Sequence, residues 1–307
     1  MGGVRHLDHQ VYDVLVIGGG PAGLTAALNL VTEGVGVCVL EADCKCGGQA
    51  AHALRIENFP GIFGGVRGAS LIDKTRRQIL RHGGAIEQKA SVAVVEKTQD
   101  GFVAICRDGR RFSARAVVIA SGISWRTLPV FDDYVDGDRV RYGSPSVHRL
   151  FFGRSVLVVG GGNSAGQAAL HIARRGAKFV HLVMRCGFGS NMSTYLVERI
   201  ERSRSVVVHE GTTVHAVNRQ GKNLIASISS GVELAIRGAY LFPGGTPNTA
   251  CVEGLDGVEL DDQGFVVATP PGIFVAGDVQ AGSVHRVAVA AGAGAALVPL
   301  LHAYLAA

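Results

Sequence analysis

The chain has 307 residues, a length that suggests about two domains of roughly 150 residues each and that needs no disulfide framework to fold. Its 30 Lys and Arg against 25 Asp and Glu leave a net charge of +5, with scattered basic residues and only 6% aromatics, so a nucleic-acid groove is not expected. The six cysteines, at 38, 44, 46, 106, 186 and 251, lack the paired spacings of a secreted scaffold or a zinc site, and no metal is expected. The 43 glycines are about twice the usual share of ~7%. With 18% charged residues, they point to an α/β protein with buried parallel strands and tight turns.

Residues 1–13 carry charge and no apolar stretch, so no signal peptide and a cytoplasmic location are expected. Residues 12–18 (YDVLVIG) form a nearly continuous apolar run, as in a strand buried on both faces. The turn GGGPAG (18–23), a helical stretch (24–32) and a second apolar run (36–40) ending on Glu41 complete a strand–helix–strand unit. Alternating runs at 93–97, 102–107 and 115–120 predict strands. A second unit follows: apolar residues 156–159, the turn GGGNSA (160–165), a helix to Arg175 and a strand at Phe179–Val183. Gly/Pro-rich joints at 121–129 and 243–248 bracket it. The expected organisation is one nucleotide-binding domain inserted into another, with 1–122 plus 243–307 forming the first and 123–242 the second. Residues 287–307 are apolar and long enough to span a bilayer. They contain Gly292, Gly294, Pro299 and His302 and lack a flanking basic cluster, so a buried helix is expected instead.

The first glycine turn follows a strand, opens a helix and has an acid eighteen residues after Gly23, the full context of a dinucleotide fingerprint. Gly18 allows the tight turn, Gly20 lets backbone approach a pyrophosphate, and Gly23 allows close helix packing, with Pro21 and Ala22 between them. The helix N-terminus offers amides and a positive dipole end to phosphates. Glu41 is placed to accept hydrogen bonds from an adenosine ribose. Far downstream, TPPGIFVAGDV (269–279) reads as a strand ending in Gly277-Asp278. With Ala120-Ser121-Gly122 at another strand end, it resembles the FAD domain of two-dinucleotide flavoproteins, which implies that Asp278 holds the flavin ribityl chain. The alternative is that Asp278 only caps a helix.

GGQ (47–49), IENFPG (56–61), GTPNT (245–249) and GD (277–278) occur in the order and spacing of the low-molecular-weight thioredoxin reductases, and the resemblance runs from residue 12 to about 305. It implies an α/β fold of two Rossmann-like, three-layer ββα domains, the second inserted into the first. It also implies FAD and NAD(P)H as cofactors, a homodimer, and hydride flow from nicotinamide to flavin to a redox disulfide. Gly48 joins the FAD-binding set with its motif. Gln49 and Asn58 match positions near the isoalloxazine, and Arg286 matches an arginine near the flavin. Gly122 and Ala120 close the FAD set, while Gly160, Gly162, Asn163, Ser164 and Ala165 form the second nucleotide turn.

The departures are specific. Counting back from Gly160, the family's Cys-x-x-Cys-Asp falls on Gly143, Ser146 and Val147, so the dithiol and its proton donor are absent. A serine hydroxyl has no accessible two-electron couple. Cys44-x-Cys46 is the one close pair, either a strained redox pair or a plain loop at the adenosine end of the cofactor. Cys38 and Cys106 read as packing residues. Where the family carries His-Arg-Arg, this chain has Met184-Arg185-Cys186, leaving Arg185 alone to clamp a 2′-phosphate. NADPH is favoured over NADH, and loss of nicotinamide binding stays open. His148 and His285 are candidate proton donors near the flavin.

Three functions follow. The first is an FAD-dependent oxidoreductase passing electrons from NAD(P)H to a quinone, dioxygen, a small disulfide or a carrier protein. The second is a nicotinamide-independent flavoenzyme fed by ferredoxin or a reduced substrate, and the third a non-catalytic redox sensor. The resemblance extends to thioredoxin-reductase-like ferredoxin–NADP reductases, which also lack the cysteine pair but carry a C-terminal extension over the flavin; the sequence here ends at Ala307.

Overall fold

The computed structural model describes residues 11–53, 56, 58–136, 139–143, 151–189 and 192–307. The chain forms two compact units, Met1–Ser124 with Thr246–Ala307, and Trp125–Gly245.

In chain order, the first unit opens with β1 (Val11–Ile17), α1 (Pro21–Thr32), β2 (Val37–Leu40), the short α2 (Gly48–Ala51), α3 (Gly68–Arg81), β3 (Ala85–Glu87), β4 (Val92–Thr98), β5 (Gly101–Cys106), β6 (Arg111–Ile119) and β7 (Ile123–Trp125). β1 is central: it pairs in parallel with β2 from Val14↔Val37 to Ile17↔Leu40, and with β6 from Val11↔Ser113 to Ile17↔Ile119. Its unbroken apolar run is explained by burial on both sides. Val14 and Val16 face a core with Leu24, Leu30 and Ile79 from the helices, while Leu15 and Ile17 face one with Phe102, Ala104 and Val266 from the strands. On its edge away from β1, β6 serves two partners along its length. Its start pairs antiparallel with β5 (Ala114↔Phe102), and its end pairs in parallel with a late strand (Ile119↔Val275). Helices therefore cover one face of the parallel sheet and the β4–β5 hairpin the other.

The second unit repeats the scheme with β8 (Val140–Tyr142), β9 (Ser155–Val159), α4 (Asn163–Arg174), β10 (Phe179–Val183), α5 (Thr194–Glu201), β11 (Val206–His209), β12 (Val214–Gln220), β13 (Asn223–Ile228), β14 (Glu233–Ile236) and β15 (Ala239–Leu241). Its parallel sheet has the order β11-β10-β9-β15-β8, and β12-β13-β14 form a separate antiparallel sheet. Val156 and Val158 pack with the helices, whereas Leu157 packs with Ile228 and Ile236 of the antiparallel layer. The chain then continues through β16 (Gly245–Pro247), β17 (Glu259–Leu260), β18 (Val266–Ala268), β19 (Ile273–Val275), α6 (Val287–Ala296) and α7 (Val298–Ala306).

The expected α/β class with two three-layer ββα units is observed, and the predicted strand and helix starts hold to within a few residues. The C-terminal apolar stretch differs from expectation. It is two helices rather than one, and only 28% of its most apolar 18-residue window is buried. Ala290, Gly294, Val298 and Leu301 face the core, leaving Val289 and Leu300 exposed. The reason is that it packs on one side only: a Cβ on Gly294 would lie 2.1 Å from the Ala22 carbonyl oxygen, so α6 rides directly on α1, and Tyr304 of α7 packs edge-on to Phe274 of β19, while the other side turns outward.

Candidate functional site

The first glycine turn joins β1 to α1 at the C-terminal edge of the parallel sheet. Gly18 has φ +109°, and a Cβ there would lie 2.3 Å from the Ala120 carbonyl oxygen at the end of β6. A Cβ on Gly23 would lie 2.0 Å from the Gly18 carbonyl oxygen, so both glycines are required by packing. Gly20 is different: a Cβ there meets nothing within 4 Å, which leaves the backbone open to a ligand. Helical bonding begins when the Leu24 amide reaches the Gly20 carbonyl at 2.9 Å, so the preceding amides have no intrahelical acceptor. Pro21, at the first helical turn, costs no hydrogen bond there.

Glu41, just past β2, is 7% exposed. Its Oε2 accepts the Gly19 amide at 3.0 Å and its Oε1 the Asp43 amide at 2.9 Å. Burial pushes its carboxyl above the usual carboxylate range, against the pull of those amides. Each oxygen keeps a lone pair for a further donor. Other segments reach the same edge. A Cβ on Gly48 (φ +48°) would lie 3.9 Å from Gly20 Cα, bringing the 47–49 loop onto the turn. Gln49 Nε2 donates to the Ile123 carbonyl at 3.2 Å, just beyond Gly122 (φ +66°). The Ala276 amide donates to the Ile119 carbonyl at 3.0 Å, and a Cβ on Gly277 would lie 2.7 Å from Ala22 Cβ, which sets Asp278 beside the start of α1. Asp278 does not cap a helix, because α6 starts at Val287 with Arg286 as its N-cap; its Oδ1 accepts the Ser283 hydroxyl at 3.1 Å.

The structure thus gathers Gly18, Gly20, Pro21, Ala22, Gly23, Glu41, Gly48, Gln49, Ala120, Gly122, Gly277 and Asp278 at one sheet edge. Asn58, His285 and Arg286 are exposed, and no side-chain hydrogen bond among the described residues ties them to this cluster. His148 lies outside the described residues, as do Ser146 and Val147. Sequence reasoning gave no role to Asn248. Its Nδ2 donates to the Ser121 carbonyl at 2.9 Å and its Oδ1 accepts the Ser124 hydroxyl at 2.7 Å, while the Ser121 hydroxyl donates to the Asn248 carbonyl at 2.6 Å. This bracket fixes the strand end carrying Ala120 and Gly122. Its signal was the GTPNT segment, but the partner lies 127 residues away.

The residues present fit a dinucleotide: an open glycine, free amides at a helix start and a buried carboxylate with spare lone pairs. The second turn is built alike. Gly160 has φ +144°, and a Cβ there would lie 2.5 Å from the Phe242 carbonyl oxygen; Ala165 is fully buried behind it. Gly162 is the N-cap of α4. Asn163 Oδ1 accepts the Ser193 amide at 2.8 Å, so this side chain holds the start of α5, while Ser164 is exposed. Arg185 is exposed past β10, and a Cβ on Gly187 in the same loop would lie 2.5 Å from Glu210 Oε2.

The family described as pyridine nucleotide-disulphide oxidoreductase matches residues 12–294. The chain is 30% identical over 311 residues to thioredoxin reductase of Streptomyces clavuligerus, covering 97% of this chain and 95% of that protein. It is 29% identical over 300 residues to thioredoxin reductase of Listeria monocytogenes, covering 94% and 92%. Among solved structures it is similar to thioredoxin reductase of T. acidophilum, with a TM-score of 0.85 and 26% identity over 97% of this chain and 100% of that one. The chain belongs to the pyridine nucleotide-disulphide oxidoreductase family, as a flavoprotein oxidoreductase resembling the thioredoxin reductases, a family that implies FAD and NAD(P)H.

Proposed function

We propose that the chain passes electrons from NADPH through FAD to an acceptor other than a thioredoxin-type protein disulfide: a quinone, dioxygen, a small disulfide or an electron-carrier protein. The cysteine inventory carries this reading. The sequence has no Cys-x-x-Cys, and all six cysteines are free, four of them buried. Burial pushes the thiol of Cys38 up to about 12 and those of Cys46 and Cys251 up to about 11, so none of these supplies a thiolate at neutral pH. The acceptor therefore has to reach the flavin itself.

When bound, FAD supplies the two-electron hydride chemistry. In this reading the amides at the start of α1 hold its pyrophosphate, Glu41 its adenosine ribose and Asp278 its ribityl chain. Gln49, Asn58 and Arg286 flank the ring, and His148 or His285 delivers a proton. Residues 1–122 with 243–307 form the FAD domain and 123–242 the NAD(P)H domain of a cytoplasmic homodimer. The backbone of Gly160, Gly162, Asn163, Ser164 and Ala165 receives the nicotinamide dinucleotide. Arg185 attracts a 2′-phosphate, and the Glu210 carboxylate beside its loop opposes it.

That opposing carboxylate favours a second reading, in which no nicotinamide feeds the flavin and ferredoxin or a reduced substrate does. Anaerobic titration of the FAD-loaded protein separates the two. Bleaching of the visible flavin band by NADPH, ahead of NADH, supports the proposal. No bleaching with either, while dithionite still reduces the flavin, supports the second reading.

A further inference from the structure

The second unit holds a cationic cavity that neither glycine turn explains. Arg174 ends α4, while Arg199 and Arg202 lie at the end of α5. They surround a cavity of about 280 Å³ with Ser203 and Ser205, over Leu170. The cavity lies at the opposite edge of the sheet from the nucleotide turn. Ser205 immediately precedes β11, and its carbonyl accepts the Val180 amide at 2.7 Å near the start of β10, whereas Gly160 follows the end of β9. These strands are parallel, so the length of β10 separates the two places by about 16 Å at ~3.3 Å per residue.

The local charge is pronounced. Residues 170–205, leaving out Arg185 at the other edge, carry six Lys and Arg against two Glu. Two of the three guanidinium groups are held by neighbours: Arg199 lies over the Tyr195 ring at 5.3 Å, and Arg202 Nη2 is 3.4 Å from Glu198 Oε2. Arg174 has no ion pair among the described residues. One arginine at each helix end is what helix dipoles favour. Three arginines and two serines lining one cavity exceed that need and supply the residue types that hold a phosphate, Arg174 without breaking an ion pair and Arg199 and Arg202 by leaving Tyr195 and Glu198, since guanidinium forks bind phosphate oxygens in pairs and hydroxyls add single donors. The volume falls just below the ~300 Å³ at which ordinary small-molecule pockets begin, which suits a compact anion rather than a dinucleotide.

We propose that this cavity is a second anion site, distinct from the nicotinamide turn, for a small phosphate-bearing ligand of about pyrophosphate size. The test is isothermal titration of the FAD-loaded full chain with inorganic pyrophosphate and, separately, with AMP to distinguish a free anion from a nucleotide monophosphate. Four proteins are compared: wild type, Arg174→Gln/Arg199→Gln/Arg202→Gln, Ser203→Ala/Ser205→Ala and Arg185→Gln. Pyrophosphate affinity should fall at least about tenfold in the triple variant and about threefold in the serine variant, and stay within about twofold in Arg185→Gln. The flavin-to-protein ratio and circular dichroism of the first two variants should match wild type, because the changed side chains are surface groups. Unchanged affinity in the triple variant, loss in Arg185→Gln alone, absence of binding to wild type at millimolar pyrophosphate, or binding of a polyglutamate peptide in place of pyrophosphate would each overturn the proposal. If the triple variant misfolds, unchanged affinity in the serine variant overturns it as well.

Discussion

The two glycine turns share a backbone plan and differ in what surrounds them. In each, a glycine of positive φ presses against the carbonyl of a neighbouring strand end, Ala120 for Gly18 and Phe242 for Gly160. The first turn is completed by a buried acid held by two amides and by an asparagine bracket on the adjacent strand end. Among the described residues the second has no such buried acid. Asn163 is used to hold α5, and Arg185 shares its loop region with Glu210. Packing glycines therefore report that a fold is kept, while the polar groups around them report how strongly a ligand is specified.

Glycine substitutions give the largest way to break this comparison. Gly23→Ala forces a Cβ into the Gly18 carbonyl and should cost about 3 kcal/mol or more and abolish FAD retention. Gly20→Ala meets open space, so thermal unfolding of the apoprotein should shift by less than about 0.5 kcal/mol while FAD content drops. Equal destabilisation by both would refute the division into packing and ligand glycines. Gly160→Ala should destabilise the second unit comparably and leave the flavin in place, read by absorbance after gel filtration.

Glu41→Gln should weaken FAD binding by about tenfold to a hundredfold, since it removes the charge and one amide acceptor. Its pH behaviour has a definite sign. The folded carboxyl has a pKa above its ordinary value of 4.5, so between the two values the folded chain holds more protons than the unfolded one. That group's contribution to stability therefore falls as pH rises through the window. Chemical denaturation of wild-type and Glu41→Gln apoprotein across that range should differ by this slope.

Smaller effects sharpen the second turn. Arg185→Ala should weaken NADPH about tenfold and leave NADH nearly unchanged, and Glu210→Gln should tighten NADPH a few fold, both measured by stopped-flow flavin reduction. The smallest concerns His181 and His209, whose Nδ1 and Nε2 are 3.1 Å apart on β10 and β11. Burial lowers both pKa values below 6.5. The folded chain then binds fewer protons than the unfolded one in the window below 6.5, so stability is lost as pH falls through it. His181→Asn/His209→Asn should flatten that loss in melting curves.

Both turns were legible because each packs its meaning into six consecutive residues after a buried strand. The buried roles of Cys38 and Cys106 were legible for the same local reason, since both sit in apolar strands. The Asn248 bracket was not, because it joins positions 127 residues apart and either half alone reads as an ordinary loop. The antiparallel layer β12–β14 was expected only through the family resemblance and its strands were not placed, because they are half-exposed and alternate weakly in sequence.

The sequence by itself determined the two-turn, two-unit α/β plan and the absence of a Cys-x-x-Cys. Those are properties of residue type and short spacing: glycine alone tolerates the tight turns, and a missing sulfur is missing in any conformation. Only the tertiary structure decided that Glu41 is buried between two amides, that α6 and α7 bury only one side, and that Arg174, Arg199 and Arg202 line one cavity. Each depends on which distant segments pack together, and burial, charge convergence and hydrogen-bond geometry arise only once that packing brings them within a few ångströms.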